Sequence, residues 1–528
     1  MTSFYTFNPS TGNKLNEIHS GSESEFDELI GKQKTAFTEW KKTDISERIN
    51  WCRRIRQIIV DEAGSISDLI AQEQGKPKTE SIGVEIIPVL DTLKYLEQRV
   101  AKELLPRKIN HQQLLFSHKN AHLVFEPFGT VLVIAPWNFP FSIPFISALE
   151  AMFCGNTVVI KPSPFTAGIG LKIGEILKKA ELPKNVIDIF TCENDVAQYA
   201  VEHQGINKIL FTGSVATGKK VMISAAKNLT PVVLELGGKD PAVVSKYADI
   251  ERAAKGIVWG SLFNSGQVCA SVERIYAEKS IAKNLENEIL KIMKDISVGN
   301  PFSADSEMGP MIHGNQLEIV ESHLKDAVEK GARIVYGGKR IEGAGNFIQP
   351  TVITGVNHEM DIMTKETFGP VIAIQEVETF EEGVKSANDS IYGLTASAWT
   401  MNKSEIDYFL KNIETGSAMV NDCVYSFGEP STPWGGVKQS SVGRTHSVFG
   451  LLEMVQVKHI SVDLSAKDNI WWFPYGKDLE KFMTDAVPAL YSNSYLTKIK
   501  YTVRLFLNKR FMKVLNWEGL IRGLRRWF

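Results

Sequence analysis

Cysteine is scarce in this chain of 528 residues, with five copies in all. They stand far apart, at positions 52, 154, 192, 269 and 423. This spacing excludes a disulfide-rich secreted scaffold. The cysteines also lack the short spacings that metal-ligating cysteines have, so we expect no metal. It is typical of a protein from a reducing compartment, and we therefore expect a cytoplasmic location.

Long apolar runs and an excess of one charge are also missing. No uninterrupted apolar stretch is long enough to span a bilayer, and the first five residues lack the basic start and apolar run of a signal peptide. The 59 basic and 61 acidic residues nearly cancel, so the chain lacks the overall basic charge of a nucleic-acid-binding protein. The length predicts two or more domains.

Short β-branched runs alternate with helical patterns along the chain. The runs predict strands at 123–125, 130–134, 157–160 and 208–212. Apolar residues at helical spacing predict a helix from Ala167 to Lys179. Strand, glycine-containing turn and helix in repetition predict an α/β fold with a parallel sheet covered on both faces.

One cysteine has neighbours that suit chemistry. Cys269 follows Phe263-Asn264-Ser265-Gly266-Gln267-Val268, and Glu235 stands 34 positions earlier between two leucines. A thiol with small and polar neighbours, together with a distant carboxylate, suggests a nucleophile and a base that folding brings together. We expect a lowered thiol pKa, and we expect Gly266 to keep side chains away from the approach. The alternatives are a small buried hydrophobe for Cys269 and a structural carboxylate for Glu235, which would be costly to bury without a partner.

Glycine and polar residues follow two of the predicted strands, where α/β sheets bind ligands. Lys161 follows the strand at 157–160, and the run from Gly213 and Ser214 to Gly218 opens the helix after 208–212. A helix N-terminus offers free N–H groups to phosphate. The glycines alone are weak evidence, because two glycines at a turn usually serve only the backbone. The alternative for Lys161 is a solvated surface charge.

Taken together, these segments resemble the signatures of the aldehyde dehydrogenase family, the NAD(P)-dependent enzymes that oxidise aldehydes to carboxylic acids. The matches, in family order, are Pro136-Trp137-Asn138-Phe139-Pro140, Phe211-Thr212-Gly213-Ser214, Leu234-Glu235-Leu236-Gly237-Gly238, the segment ending at Cys269, and Lys365-Glu366-Thr367-Phe368-Gly369-Pro370. The resemblance runs from about residue 8 to about residue 463. It implies a Rossmann-like cofactor-binding domain (1–107 and 128–237), an α/β catalytic domain (238–437) and β elements (108–127 and 445–463) that assemble a homodimer or homotetramer.

The resemblance also implies roles for single residues. Cys269 would attack the aldehyde carbon, Asn138 would donate its side-chain amide to the resulting oxyanion, and Glu235 would activate the water that hydrolyses the thioester. The cofactor-binding residues would be Trp137, Lys161, Ser163, Gly213, Ser214, Gly218, Glu366 and Phe368. Relatives that transfer the acyl group to coenzyme A lack the glutamate base, so Glu235 favours release of a free acid; the acylating reaction is the alternative.

Pro164 departs from the family pattern at the cofactor site. Many NAD-specific members have a glutamate three residues after the lysine, whose carboxylate binds the ribose hydroxyls, and this chain has Pro164 there. Without that carboxylate, the 2′-phosphate of NADP would meet less repulsion. We therefore expect NAD, or both cofactors.

The substrate segment, residues 422–434, contains no arginine or lysine. A semialdehyde with its own carboxylate usually needs such a partner. The expected pocket residues are Phe139, Val268, Tyr425, Phe427 and Trp434, and they suggest an apolar aliphatic or aromatic aldehyde; the alternative is that the aromatic residues pack the loop against itself. The expected activity is that of an aldehyde dehydrogenase (EC 1.2.1.-, similar to 1.2.1.3), with a semialdehyde dehydrogenase or a non-catalytic protein of the same fold as alternatives.

The last segment, 464–528, lies outside the resemblance and is basic and aromatic. Between Ser492 and Phe528 it has nine basic residues and one acidic residue, Glu518, and four of the ten tryptophans follow residue 470. A helix ending near Asn508 is predicted, with one apolar face formed by Tyr495, Leu496, Ile499, Val503, Phe506 and Leu507. Such helices can lie on anionic membranes, so residues 471–528 are a candidate for peripheral membrane contact. Packing on this chain or on a neighbouring subunit is the equal alternative.

Overall fold

The computed structural model describes residues 2–111, 116, 118–465 and 467–514. The chain divides into two compact units, Met1–Glu103 with Pro127–Gln456 and Leu104–Glu126 with Val457–Phe528. The α-helices of the first unit are Glu23–Trp40, Ile45–Glu73, Lys78–Glu80, Ile87–Tyr95, Ala101–Glu103, Ser142–Phe153, Ala167–Lys179, Asn194–Glu202, Val215–Ala225, Ile250–Leu262, Lys279–Met293, Gly314–Glu329, Asp361–Thr364, Phe380–Asn388, Lys403–Asn412 and Ser447–Glu453. Two π-helical segments, Ser81–Ile86 and Leu96–Val100, join the short helices between 78 and 103 into one helical run.

A six-stranded sheet forms one half of the first unit. Its strands, in spatial order, are Ser441–Val442, Val232–Glu235, Lys208–Thr212, Thr130–Ile134, Thr157–Lys161 and Ile187–Ile189. All neighbours are parallel except the edge strand Ser441–Val442. Every residue of Thr157–Lys161 is buried, as expected for a β-branched central strand covered on both faces. The predicted strands and the helix Ala167–Lys179 are present, and the strand predicted at 123–125 lies within the longer Asn120–Pro127.

A seven-stranded sheet forms the other half of this unit. Its order is Arg333–Tyr336, Thr351–Thr354, Val371–Val377, Val272–Glu278, Asp240–Val244, Thr395–Trp399 and Ser417–Val420, with only the first strand antiparallel. A small antiparallel pair, Thr2–Phe7 and Lys14–Ser20, completes the unit. The predicted α/β class with parallel sheets is confirmed. The seven-stranded sheet lies within the predicted catalytic domain, and five strands of the six-stranded sheet lie within the predicted cofactor-binding domain, with Ser441–Val442 outside it. The domain boundaries stay predictions.

The second unit contains a three-stranded sheet and three helices. The strands are Val455–Val462, Asn120–Pro127 and Arg107–Lys108, and the helices are Lys477–Tyr491, Tyr495–Leu507 and Lys509–Val514. A small core of Ile470, Leu479, Phe482 and Phe511 joins the helices. The helix predicted to end near Asn508 ends at Leu507, whereas the predicted basic and aromatic residues from 515 to 528 lie outside the described residues. No helix in the described part of the chain is long and apolar enough to cross a membrane.

Candidate active site

Cys269 follows a turn with an uncommon backbone conformation. Asn264, Ser265 and Gly266 all have left-handed φ angles, of 51°, 57° and 69°. This conformation is unfavourable for residues other than glycine, so packing and hydrogen bonds must hold it. The buried Asn264 side chain donates to the carbonyl oxygens of Asn138 and Gln267, at 3.0 and 3.1 Å. Gln74 Nε2 in turn donates to Asn264 Oδ1 at 2.9 Å.

Two glycines let the backbone pass close to this turn. A Cβ on Gly266 would lie 2.2 Å from the carbonyl oxygen of Gly369, and a Cβ on Gly238 would lie 2.1 Å from the carbonyl oxygen of Cys269. Real Cβ atoms do not approach carbonyl oxygens this closely. Gly266 therefore serves close backbone packing, which corrects the expectation that it clears the approach to the thiol.

A first cavity, of about 430 Å³, reaches Cys269 and is lined mainly by apolar side chains. All five predicted pocket residues line it: Phe139, Val268, Tyr425, Phe427 and Trp434. The Phe427 ring also packs edge-on against Trp434, with centroids 5.2 Å apart. The aromatic residues therefore both pack against one another and form the wall. Trp259, Phe263 and Val424, which the sequence did not single out, line it too.

Charged groups are nearly absent from this first cavity. Among the described residues that line it there is no arginine, lysine or histidine, and the one carboxyl group is that of Glu80. Glu80 Oε2 accepts the N–H of Asn264 at 2.8 Å, and burial raises the Glu80 pKa to about 7. A carboxylate on a substrate would find no cation here.

A second cavity, of about 300 Å³, lies at the carboxyl ends of the strands of the six-stranded sheet. Of the predicted residues it gathers Trp137, Asn138, Gly213, Ser214, Cys269, Glu366 and Phe368. Cys269 and Ile143 line both cavities. The thiol therefore stands where an apolar cavity meets a strand-end cavity.

Three predicted cofactor residues do not line the second cavity. Lys161 ends the strand next to Thr130–Ile134 and is buried. Its side chain makes no hydrogen bond or ion pair with another described residue, and desolvation lowers its pKa. Ser163 is buried two residues farther on. A Cβ on Gly218 would lie 2.5 Å from Leu236 Cδ2, so the structural role of this glycine is helix packing.

These groups fit a dinucleotide. Ser214 caps the helix Val215–Ala225 by accepting the N–H of Thr217 at 3.3 Å, and this helix begins at a strand end. Helix N-termini at the carboxyl ends of parallel strands bind phosphate. The Lys161 ammonium has no hydrogen bond to another described residue, and ribose hydroxyls would supply acceptors for it.

A buried ion pair fixes the loop that bears Glu366 and Phe368. Glu273 accepts the N–H groups of Thr367 and Phe368, at 2.9 and 3.0 Å. Lys239 is paired with Glu273 and donates to Thr367 Oγ1 at 2.9 Å. The Phe368 ring then stands edge-on to Trp137, with centroids 5.4 Å apart. This pair could not be predicted from the sequence, because a single lysine and a single glutamate 34 positions apart give no sign that they are in contact.

A second buried pair fixes the loop that bears Asn138. Lys76 Nζ donates to Glu85 Oε1 at 2.6 Å and to the carbonyl oxygen of Asn138 at 3.0 Å. Glu85 Oε2 accepts the N–H of Ser142, the first residue of the helix Ser142–Phe153, at 2.7 Å. The Asn138 side chain donates to the carbonyl oxygen of Gln267 at 3.1 Å, which leaves its second N–H available. The sequence did not predict the contact between Lys76 and Glu85 either.

Glu235 ends the strand Val232–Glu235 and is 6% exposed. Neither carboxyl oxygen has a hydrogen-bond partner among the described residues. Burial raises its pKa well above the usual range, and the Arg444 guanidinium opposes this rise. Both causes have a clear physical origin, because an unpartnered carboxylate is costly to bury and a nearby cation lowers that cost.

The Cys269 thiol is partly accessible, but its pKa is raised. Burial is the largest cause, and the carboxyls of Asp240, Glu366 and Glu235 add to it. This corrects the expectation of a lowered pKa. Burial also raises the pKa of Asp240 and of Glu366 to about 8, so these two carboxyls are mostly neutral at pH 7 and oppose a thiolate less than charged ones would.

A comparison with protein families matches the aldehyde dehydrogenase family over residues 2–460. A 4,4′-diapolycopene aldehyde oxidase from Methylomonas sp is 31% identical over 476 residues, which are 90% of this chain and 89% of that protein. A putative NADP(+)-type succinate-semialdehyde dehydrogenase 2 from Mycobacterium tuberculosis is 33% identical, over 85% of this chain and 87% of that protein.

The lactaldehyde dehydrogenase of Escherichia coli (strain K12) is 35% identical, over 85% of this chain and 93% of that protein. The solved structure of lactaldehyde dehydrogenase from Escherichia coli superposes with a TM-score of 0.83 at 34% identity, over 88% of this chain and 96% of that one.

Proposed function

We propose that this chain, which belongs to the aldehyde dehydrogenase family, oxidises an apolar aldehyde to the free carboxylic acid and reduces NAD(P)+. One observation supports this most directly. Cys269 stands between an apolar cavity suited to the aldehyde and a strand-end cavity suited to the cofactor. Enzymes of this family act on aldehydes with NAD(P)+.

In the proposed reaction, the Cys269 thiol loses its proton to solvent, and its sulfur bonds to the aldehyde carbon as the carbon–oxygen double bond opens. The oxygen of the resulting thiohemiacetal then accepts the free side-chain N–H of Asn138 and the backbone N–H of Cys269. The bound cofactor supplies an acceptor for the hydride that leaves this carbon, and a thioester on Cys269 results. Preorganised donors of this kind typically contribute about a hundredfold or more in rate. Trp137, Glu366 and Phe368 would hold the nicotinamide end, and Lys161, Ser163, Gly213 and Ser214 the adenosine and phosphate end.

Glu235 completes the cycle. Its carboxylate takes a proton from water, the water oxygen bonds to the thioester carbon, and the thiolate of Cys269 leaves. The balance is one aldehyde, one water and one oxidised cofactor consumed, and one acid, one reduced cofactor and one proton formed. Among the described residues Glu235 has no hydrogen-bond partner for its carboxyl, which supports this role, because a carboxyl held by other residues could not turn toward water.

Replacement of Glu235 with glutamine tests the assignment. The variant should retain a burst of about one reduced cofactor per active site, while steady-state turnover falls at least about a hundredfold, in the range of lost acid–base catalysis. Glu405, another buried glutamate, lies outside both cavities, so Glu405→Gln is the matched control and should retain both phases. Unchanged turnover in the Glu235→Gln variant would exclude the assignment and reopen the coenzyme A-acylating alternative.

The apolar cavity supports an aliphatic or aromatic aldehyde (EC 1.2.1.-, close to 1.2.1.3) over a semialdehyde. The three relatives are named for chemically different aldehydes, of which 4,4′-diapolycopene aldehyde is the apolar one. For straight-chain aldehydes, we expect kcat/KM to rise by up to about fourfold per methylene group, at about 0.8 kcal/mol for each buried one. Succinate semialdehyde should be the poorer substrate, and a preference for it would refute the proposal.

Pro164 supports the use of NAD or of both cofactors. It begins a 3₁₀ turn, Pro164–Thr166, directly after Ser163, and no acidic side chain stands at this position to repel a 2′-phosphate. Steady-state titration with NAD and with NADP tests this proposal. Strict NAD use without NADP turnover would show that Pro164 is not permissive.

Assembly as a homodimer or homotetramer is part of the proposal, as is a cytoplasmic location. The strand Val455–Val462 supports assembly, because all of its residues after Val455 are exposed, and an exposed edge strand favours pairing. Val457→Glu should lower the mass found by sedimentation velocity. An unchanged mass, or a monomeric parent protein, would refute assembly through this strand.

A further inference from the structure

The second unit exposes a line of apolar side chains along the helix Tyr495–Leu507. Tyr495, Leu496, Ile499, Val503 and Leu507 are between 52% and 81% exposed. At 3.6 residues per turn they span about 120° of the helix surface. Phe506, which was expected on the same face, is instead half-buried, with its ring 5.6 Å from that of Phe511.

The neighbouring helix of this unit adds a second line. Met483, Val487, Leu490 and Tyr491, on Lys477–Tyr491, follow helical spacing and are between 38% and 70% exposed. The loop before that helix exposes Trp472, Phe473 and Tyr475. Single exposed apolar residues are normal, but a concentration of them on three consecutive elements marks a surface that meets a partner. We call these twelve residues the C-terminal face.

Basic residues flank the line on the helix Tyr495–Leu507. Lys498 lies on one side of it and Lys500 on the other, and neither makes an ion pair with another described residue. From Tyr491 to Val514 the sequence contains six basic residues and no acidic one. The segment after them adds three arginines and one glutamate.

We propose that the C-terminal face lies in the headgroup region of a bilayer that contains anionic lipid. A helix with an apolar face and lysines on its flanks binds such a surface, where each basic residue adds electrostatic attraction. Exposed tyrosine and tryptophan are also enriched at the depth where lipid meets water.

Charge favours lipid over a second copy of this chain. In a two-fold contact through this face, each copy presents the same patch, so the helix Tyr495–Leu507 of each copy would bring basic residues and no acidic one into the contact. Like charges in an interface are unfavourable. Phosphate-bearing lipid headgroups offer the opposite charge. This inference goes beyond the proposed reaction and does not depend on it.

Co-sedimentation of the full-length protein with vesicles tests the proposal. We expect binding to phosphatidylcholine vesicles that contain phosphatidylglycerol, little binding to phosphatidylcholine alone, and release by high salt, which screens surface charge. No binding to the anionic vesicles, or equal and salt-insensitive binding to both kinds, would overturn the proposal.

Two pairs of substitutions locate the contact. Lys498→Gln with Lys500→Gln should weaken binding to anionic vesicles about 30-fold, at about fivefold for each basic residue near the surface. Ile499→Glu with Val503→Glu should abolish it. The matched controls in the first unit are Lys34→Gln with Lys184→Gln and the exposed Ile223→Glu, and they should bind as the parent does.

Turnover of a short, water-soluble aldehyde and urea unfolding report whether each variant folds. The vesicle readout needs no turnover, so failure of the membrane proposal and failure of the proposed reaction are distinguishable. If Ile499→Glu with Val503→Glu instead lowers the mass in sedimentation velocity, and the parent protein ignores vesicles, a protein partner covers this face and the proposal is wrong.

Discussion

Replacing Lys76 with methionine should destabilise this protein more than an ordinary lysine substitution would. The Lys76 ammonium is wholly buried, 2.6 Å from Glu85 Oε1 and 3.0 Å from the carbonyl oxygen of Asn138. Methionine has a similar length but removes the charge and both hydrogen bonds. Glu85 would then keep the N–H groups of Phe141 and Ser142, at 3.2 and 2.7 Å, and no cation.

The expected loss in the free energy of unfolding is about 3 kcal/mol, the lower end of the range for a buried ion pair with one partner removed. The lower end applies because the two N–H groups still stabilise the Glu85 carboxylate. A double variant, Lys76→Met with Glu85→Gln, removes both charges while the glutamine carbonyl still accepts these N–H groups. It should recover most of the loss, since replacing a whole buried pair is often close to neutral.

Urea unfolding measures the stability part of this prediction, and kinetics measure a second part. Lys76 positions the Asn138 loop, so the double variant should regain stability but retain a deficit of about tenfold in kcat, a fraction of the effect of losing an oxyanion donor outright. KM for the aldehyde should change less than kcat, because Lys76 contacts the apolar wall through Phe139, whose ring centroid lies 3.9 Å from the ammonium, and the rest of the wall stays as it is. A single variant that loses less than about 1 kcal/mol, or a double variant with full kcat, would refute this reasoning.

Three further predictions concern glycine packing and buried carboxyls. Gly238→Ala should reduce turnover at least about a hundredfold, because its Cβ would lie 2.1 Å from the carbonyl oxygen of Cys269. The control Gly64→Ala, in open space on the helix Ile45–Glu73, should raise the free energy of unfolding by about 0.5–1 kcal/mol in a urea titration. Burial raises the Glu150 pKa from its usual value of 4.5 to about 8. Between these two pH values the folded state holds a proton that the unfolded state has lost, so the free energy of unfolding falls as the pH rises from 4.5 to about 8. In the parent protein this proton contributes a fall in the free energy of unfolding of about 1.4 kcal/mol per pH unit, and Glu150→Gln should remove that contribution. Urea titrations of both proteins at several pH values measure the two slopes, and equal slopes would contradict the prediction. Steady-state turnover should rise with pH while Glu235 loses its proton, because a protonated carboxyl cannot take one from water; a flat profile in the parent protein would remove Glu235 as the base.

Local sequence patterns predicted the elements that their own residues determine. The β-branched run at 157–160 and the helical spacing from Ala167 to Lys179 gave a strand and a helix in the expected places. Motif residues far apart in the chain, among them Asn138, Cys269 and Glu366, do line one cavity. Their convergence followed from the family resemblance, since periodicity alone says nothing about which strand ends meet.

The buried ion pairs could not be predicted in the same way. Lys76 and Glu85 are nine positions apart, in a polar stretch whose charges are normally solvated. Lys239 and Glu273 are 34 positions apart; Lys239 directly precedes the strand Asp240–Val244, and Glu273 lies on the neighbouring parallel strand Val272–Glu278. Only the folded structure shows that each pair contacts a loop of the candidate site, because the pairing depends on which strands and helices pack together.

The pKa of Cys269 could not be predicted from the sequence either. Neighbours in the sequence suggested a lowered pKa, whereas the folded chain places the carboxyls of Asp240, Glu366 and Glu235 near the thiol and raises it. Burial also raises the pKa of Asp240 and of Glu366 to about 8, so these two carboxyls are mostly neutral at pH 7, and it raises the pKa of Glu235 well above its usual range. With a raised pKa, Cys269 is present as a thiol, which oxidants attack less readily than a thiolate. In the proposed reaction, attack on an aldehyde would require that the sulfur lose its proton within the assembled site, where Asn138 and the Cys269 N–H would stabilise the negative charge once it reaches the oxygen.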